Sequence, residues 1–257
     1  MLSVLSLPSS MTDVLSHLTQ AMAKRWPGQQ IVFLVDEILS TAMFTNLQDK
    51  NIPESVRMIL ILNPNSDAKN LTLPPSFQRV TLSTPYRSTI AITRLARFIA
   101  KRNGIVFPET EIGSDVEGTK PILFDVGHDE KKMVKALSHC RKNLGDNATI
   151  LYDYHFLNPS MKKMVMEYGK EAGGPWDCYM STRFYGWEAD KVVAVTHGHL
   201  EVITRARTDL SIILIEGSSG GGYYAKHKEH YQEAADLGLV DLVPMADEET
   251  WLVRIPG

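Results

Sequence analysis

Apolar residues occur along this chain in two alternating styles, and the alternation predicts the fold class. Short, nearly continuous apolar runs stand at "IVFLV" (31–35), "RMILIL" (57–62), "PILFDV" (121–126), "TILYDY" (149–154), "KVVAVT" (191–196) and "LSIILIE" (210–216). Their length and continuity suit strands buried on both faces. "QRVTL" (78–82) is read as one more strand. Between these runs apolar residues recur every three or four positions. Val14, Leu15, Leu18 and Met22 follow a Thr12 or Asp13 cap; Ile90, Ile92, Leu95, Phe98 and Ile99 lie in a helix of about 86–102 that Gly104 ends. Met133, Val134, Leu137 and Cys140 mark a helix over 129–143, and others are predicted over about 159–170, "HLEVITRAR" and "AKHKEHYQEAADLG". Strands alternating with helices imply parallel sheets covered on both faces.

The punctuation suggests two domains. Residues 104–118, "GIVFPETEIGSDVEG", are acidic, glycine-bearing and free of helical period, so they read as a linker between 1–103 and 119–257. A chain of 257 residues has material for one large or two small cores. The net charge of -3 gives no bulk attraction to nucleic acid or membrane, although a local basic groove stays open. Cys140 and Cys178 are the only cysteines and show no CxxC spacing, which fits an intracellular location, cytoplasm or nucleus. "MLSVLSLPSS" lacks a basic start and is cut by Pro8, unlike a signal peptide. No run reaches the ~18 apolar residues of a membrane span, so no membrane partner is expected.

Candidate chemistry gathers at strand ends. A buried strand that ends in two adjacent carboxylates, Asp36 and Glu37, costs free energy unless the charges are needed there. "TPYRST" (84–89) puts Arg87 at a helix start. "RFYGWEAD" (183–190) puts Gly186 and Glu188 just before a strand, and "LEVITRARTDLSIIL" (200–214) puts Arg205 and Arg207 on a helix leading into another. In open α/β sheets ligand groups gather at the carboxyl ends of strands and the adjoining helix N-termini. Carboxylates on one sheet and arginines on another could then face each other across a cleft.

In this order the motifs resemble the superfamily 1 helicases, UvrD-like branch. "FLVDEI" is similar to their Walker B strand, "LILNPNS" stands where the family has Gly-Asp-Pro-x-Gln, and "LSTPYRSTIAI" resembles Leu-x-x-x-Tyr-Arg-Ser. "RFYGWEAD" is similar to Arg-Phe-Lys-Gly-Leu-Glu-Ala-Asp and "VITRAR" to Val-Ala-Leu-Thr-Arg-Ala-Arg. The resemblance spans roughly residues 31 to 216. It implies an α/β P-loop NTPase (RecA-like) fold with two parallel sheets flanked by helices, the first truncated and the second complete. It also implies ATP and Mg2+ as cofactors. Asp36 would hold the metal, Glu37 would polarise the attacking water, and Arg87 and Arg205 would reach the γ-phosphate. Gly186 and Glu188 would lie at the nucleotide, Glu188 on the ribose, and Thr182 and Arg183 would approach single-stranded DNA or RNA.

The departures bear on activity. No G-x-x-x-x-G-K-[ST] occurs; "GSSGGGYY" (217–224) has the glycine spacing but Tyr223 and Tyr224 where lysine and Ser/Thr belong. Leu39, Asn63, Ser66 and Tyr185 also replace family residues. Hydrolysis by the chain alone is therefore not expected, and a partner or upstream segment would have to supply the phosphate loop. The alternative is a catalytically inactive helicase-like scaffold for protein interaction or regulation. Other features take plainer readings. His197 and His199 alternate like metal ligands, and His227 and His230 have i,i+3 spacing, but neither pair has a convincing third ligand nearby, so zinc is not expected. "HKEHYQ" reads as an exposed helix face, Trp176 and Trp187 as core or hinge packing, and "MKKMVMEYGK" as an amphipathic helix.

Overall fold

The computed structural model describes residues 14–38, 54–62, 77–78, 87–105, 112–153, 157–181, 184, 187–217 and 221–245. The chain forms two compact units, Met1–Leu82 and Ser83–Gly257. Among the described residues, no helix is long and apolar enough to cross a membrane.

The first unit contains helix α1 (Val14–Arg25) and a parallel pair of strands, β1 (Ile31–Ile38) and β2 (Val56–Leu62). "WPG" ends α1 as the sequence suggests. Pairing runs from Ile31↔Val56 to Val35↔Leu60 and then shifts, so that Asp36 and Glu37 fall in an irregularity before Ile38↔Leu62. Val32, Leu34, Ile59 and Ile61 stand exposed on the pair. The expected strand at 78–82 lies almost wholly outside the described residues.

The second unit is built on six parallel strands: β3 (Ile122–Gly127), β4 (Thr149–Tyr152), β5 (Asp177–Met180), β6 (Ala189–Thr196), β7 (Ala206–Ile215) and β8 (Asp241–Leu242). Their spatial order is β5-β4-β6-β7-β3-β8. Alternate side chains feed two cores. Leu123, Leu151, Val192, Ala194, Ile212 and Leu214 face α2 (Ile90–Arg102), α5 (Leu200–Ile203) and α6 (Gly221–Asp236). Phe124, Ile150, Val193, Val195, Ile213 and Ile215 face α3 (Glu130–Leu144) and α4 (Pro159–Glu167). Burial on both faces is why these strands read as continuous apolar runs.

The sequence places the first boundary at 103, whereas the compact units divide at 82/83. The reason is α2, whose inner face of Ile92, Leu95 and Ile99 is fully buried in the second unit's core. The segment expected as a linker docks on the same helix: the Ile90 and Ala91 amides donate to the carbonyls of Val116 and Glu117 at 2.9 and 3.0 Å. The helix expected over "HLEVITRAR" stops at Ile203, so Arg205 lies in a turn and Arg207 in β7. Val202, Ile203 and Thr204 are β-branched, and pairing of Ala189 with Ala206 draws the next residues into the sheet. β5 has no counterpart in the sequence reading, because "DCYM" is half polar and follows a Gly-Gly-Pro break.

Both thiols are held protonated. Burial pushes Cys140, on the inner face of α3, up to about 12 against a weak opposing hydrogen bond to Ser211. Burial, with the charge of Glu171, does the same for Cys178. The thiolate is the reacting form. A thiol-specific disulfide reagent at about pH 8, where a free cysteine already reacts, should modify neither residue in the native protein and both after denaturation. Stoichiometric reaction of Cys140 in the native state would contradict its place in the core.

Candidate functional site

The second sheet carries polar clusters at both ends of its central strands. At the amino end, Ala189 of β6 pairs with Ala206 of β7, which sets Glu188 and Arg205 on one edge. Arg87 is tied to the same edge through its neighbours. Ser88 Oγ donates to the Ala206 carbonyl at 2.7 Å, and the Thr89 amide donates to the Arg207 carbonyl at 3.0 Å. The Glu188 carboxylate meets Arg87 Nε at 2.5 Å and Arg207 Nε at 4.0 Å, and Arg207 Nε lies 3.6 Å from Asp190. These pairs are solvent-accessible and contribute about 1 kcal/mol or less each. Arg205 differs: it is only 8% exposed, and among the described residues no carboxylate pairs with it. Trp187, 66% exposed, stands on the surface next to Glu188 in sequence, its ring 6.3 Å from that of Phe184.

Of the residues singled out from sequence, Arg87 and Glu188 are brought together directly, and Arg205 shares their edge. Asp36 and Glu37 belong to the first unit, at the irregularity in β1; their side chains lie outside the described residues, as do Gly186, Thr182 and Arg183. Two expectations need correction. The edge is formed by strand amino ends, not carboxyl ends. In addition, the start of α2 offers no open cradle for an anion, because the amides of Thr89, Ile90 and Ala91 already donate to backbone carbonyls of Arg207, Val116 and Glu117. Trp176 is fully buried as expected, whereas Trp187 is not core.

At the carboxyl end of the adjacent strands β4 and β6 lies a cluster the sequence reading did not assemble. Asp153 follows β4, and its amide donates to the Val195 carbonyl of β6 at 3.1 Å. Its Oδ1 accepts from Ser181 Oγ at 2.7 Å and its Oδ2 from Thr196 Oγ1 at 2.6 Å. His197 Nδ1 and His199 Nδ1 approach the same Oδ2 at 3.2 and 3.6 Å. Burial alone would raise the Asp153 pKa; hydrogen bonds from His197, His199, Thr196 and Ser181 outweigh it and hold the carboxyl well below the usual range. Thr196 Oγ1 in turn accepts from the Gly198 and His199 amides at 3.1 and 3.0 Å, fixing the loop.

His227 of α6 packs against this loop. It is buried, contrary to the exposed helix face expected of "HKEHYQ", and its ring centroid lies 6.3 Å from that of His197. Desolvation first, then the neighbouring His197, His230, His199 and Lys226, push it down to about 4. The side chain that joins the His197/His199 pair is Asp153. Only the adjacency of β4 and β6, which no local pattern encodes, supplies it.

No protein-family model matches the sequence. No curated protein matches it. Among solved structures, S. cerevisiae Dbp5 bound to RNA and ADP BeF3 is similar at 13% identity and a TM-score of 0.30, over 90% of this chain and 64% of that one. This chain thus spans less than two thirds of that structure's length. A likeness at that score carries no argument about either unit, and the α/β description rests on the sheets themselves.

Proposed function

We propose that the chain is a helicase-like protein that binds nucleotide at the amino edge of its second sheet and does not hydrolyse ATP by itself. The observation that carries this reading is Arg205, buried and without a carboxylate partner among the described residues, on the strand edge that also carries Arg87 and Arg207. A guanidinium stays charged at every physiological pH. A phosphate would supply the counter-charge that the described residues do not. The order of superfamily 1-like motifs supports a RecA-like ancestry. In this proposal Glu188 faces the ribose and Arg87 and Arg205 face the terminal phosphate. Thr182, Arg183 and the exposed indole of Trp187 would meet a single strand of DNA or RNA, an aromatic face being a sequence-tolerant stacking platform.

The second reading, an inactive scaffold, is favoured by one specific contact. Arg87 is already neutralised by Glu188 at 2.5 Å. Calorimetric titration with Mg-ATP and with a single-stranded oligonucleotide separates the two. Binding of ATP by the wild type, weakened at least tenfold in Arg205→Ala and in the more exposed Arg87→Ala, is the expected result. If neither ligand binds a wild type whose circular dichroism shows it folded, the scaffold reading stands and the nucleotide reading falls.

A further inference from the structure

We propose that Asp153, His197 and His199 form a zinc site with three protein ligands and a water-filled fourth position, at the carboxyl edge of the second sheet. Position in the fold is the first argument. β4 and β6 are adjacent and parallel, with Tyr152 paired to Val195. From their ends the chain departs to opposite faces. After β4 it enters α4, whose Met161 and Val165 join one core; after β6 it enters α5, whose Leu200, Val202 and Ile203 join the other. Such a switch point opens a crevice outside the strand ends, where α/β sheets place their ligands. Asp153 follows the end of β4, and His197 and His199 follow the end of β6.

Distances provide the second argument. One oxygen, Oδ2 of Asp153, is approached by two imidazole nitrogens at 3.2 and 3.6 Å, and the ligating atoms of all three residues lie within 4.8 Å of one another. Ligand bonds of about 2.0–2.1 Å in a tetrahedron put neighbouring ligand atoms about 3.3 Å apart; the same bonds in an octahedron put them about 3.0 Å apart. The two separations bracket the tetrahedral edge.

The donor set and its surroundings agree. Two imidazoles and a carboxylate form a borderline-soft set suited to zinc. Ser181 and Thr196 hold the carboxylate by hydrogen bonds, as outer partners of metal ligands do. Asp153 and His197 are buried, whereas the His199 side chain is 51% exposed, so the site is anchored inside and open on one flank. A further buried imidazole adjoins it: among the described residues, His227 Nδ1 has no hydrogen-bond partner.

The test uses the untagged full chain, stripped by chelator and titrated with Zn2+ against a chromophoric competitor, then with Co2+ in the visible range. One equivalent per chain, with the intense absorption of four-coordinate cobalt, is expected. His199→Ala, at a half-exposed position, should keep the circular dichroism and lose at least a hundredfold in affinity. Ser181→Ala, which leaves all three ligands in place, should lose about tenfold. Absence of stoichiometric binding, or binding that His199→Ala leaves unchanged, would overturn the site.

Discussion

Trp176→Ala is expected to lower the unfolding free energy of the second unit by about 3–5 kcal/mol, the cost of emptying a buried aromatic site. The indole is fully buried in the core shared by α3, α4 and one face of the sheet, with its ring 5.6 Å from that of Tyr168. Its Nε1 also donates to the Gly145 carbonyl at 2.7 Å, at the end of α3, where Lys191 Nζ donates to the Leu144 carbonyl at 3.1 Å. Truncation therefore opens a cavity and removes the cap of a helix C-terminus together. Trp176→Phe separates the two contributions, because it refills most of the space and removes only the donor, at about 1–2 kcal/mol. Urea unfolding followed by circular dichroism reads both. A loss below about 1 kcal/mol for alanine, against that 3–5 kcal/mol range, would mean that the core closes around the gap.

Gly198→Ala is expected to cost about 2–4 kcal/mol and to displace the loop that carries His197 and His199. Gly198 has φ +118°, where a side chain is strained, and a Cβ there would stand 2.4 Å from His227 Cγ and 2.6 Å from His227 Cβ. Those atoms are fixed by helix α6, so relief requires the helix itself to shift. Gly222→Ala is the control within the same helix. Among the described residues, no atom outside its own turn lies within 4 Å of its added methyl, and the substitution should be neutral or stabilising by about 0.5–1 kcal/mol. Equal melting temperatures for the two variants would refute the close packing of His227 on the loop.

How much of this was legible in the sequence depends on whether the controlling contact is local. β3, β4, β6 and the end of β7 announce themselves because both of their faces are buried, and α3 because its apolar period is clean. β5 hides behind its polar residues at the sheet edge. The short α5 was overestimated because tertiary pairing of Ala206 overrides the helical pattern before it. Motif order gathered Arg87, Glu188 and Arg205 onto one edge, although it suggested the wrong end of the strands. The Asp153 cluster was illegible for a different reason. Its bond to Thr196 joins residues 43 apart in sequence, and which strands become neighbours is decided by the whole sheet. His227 was misread because a histidine counts as polar in any periodicity, while its i+4 neighbour Tyr231 is fully buried on the same helix.

The strand order also sets a schedule for the growing chain. β3 is the first strand of its sheet to be synthesised, yet its two neighbours are β7 and β8. Its pairing of Ile122 with Ser211 needs about 90 more residues, which a ribosome adding ~5–20 residues per second delivers in roughly 5–20 s. β4 finds β5 and then β6 earlier, so the sheet can begin at its β5 edge while Leu123, Phe124 and Val126 still lack the strands that flank them. The first strand made is among the last to be paired, and anything that slows translation beyond β4 lengthens the time for which that apolar edge is open to other chains.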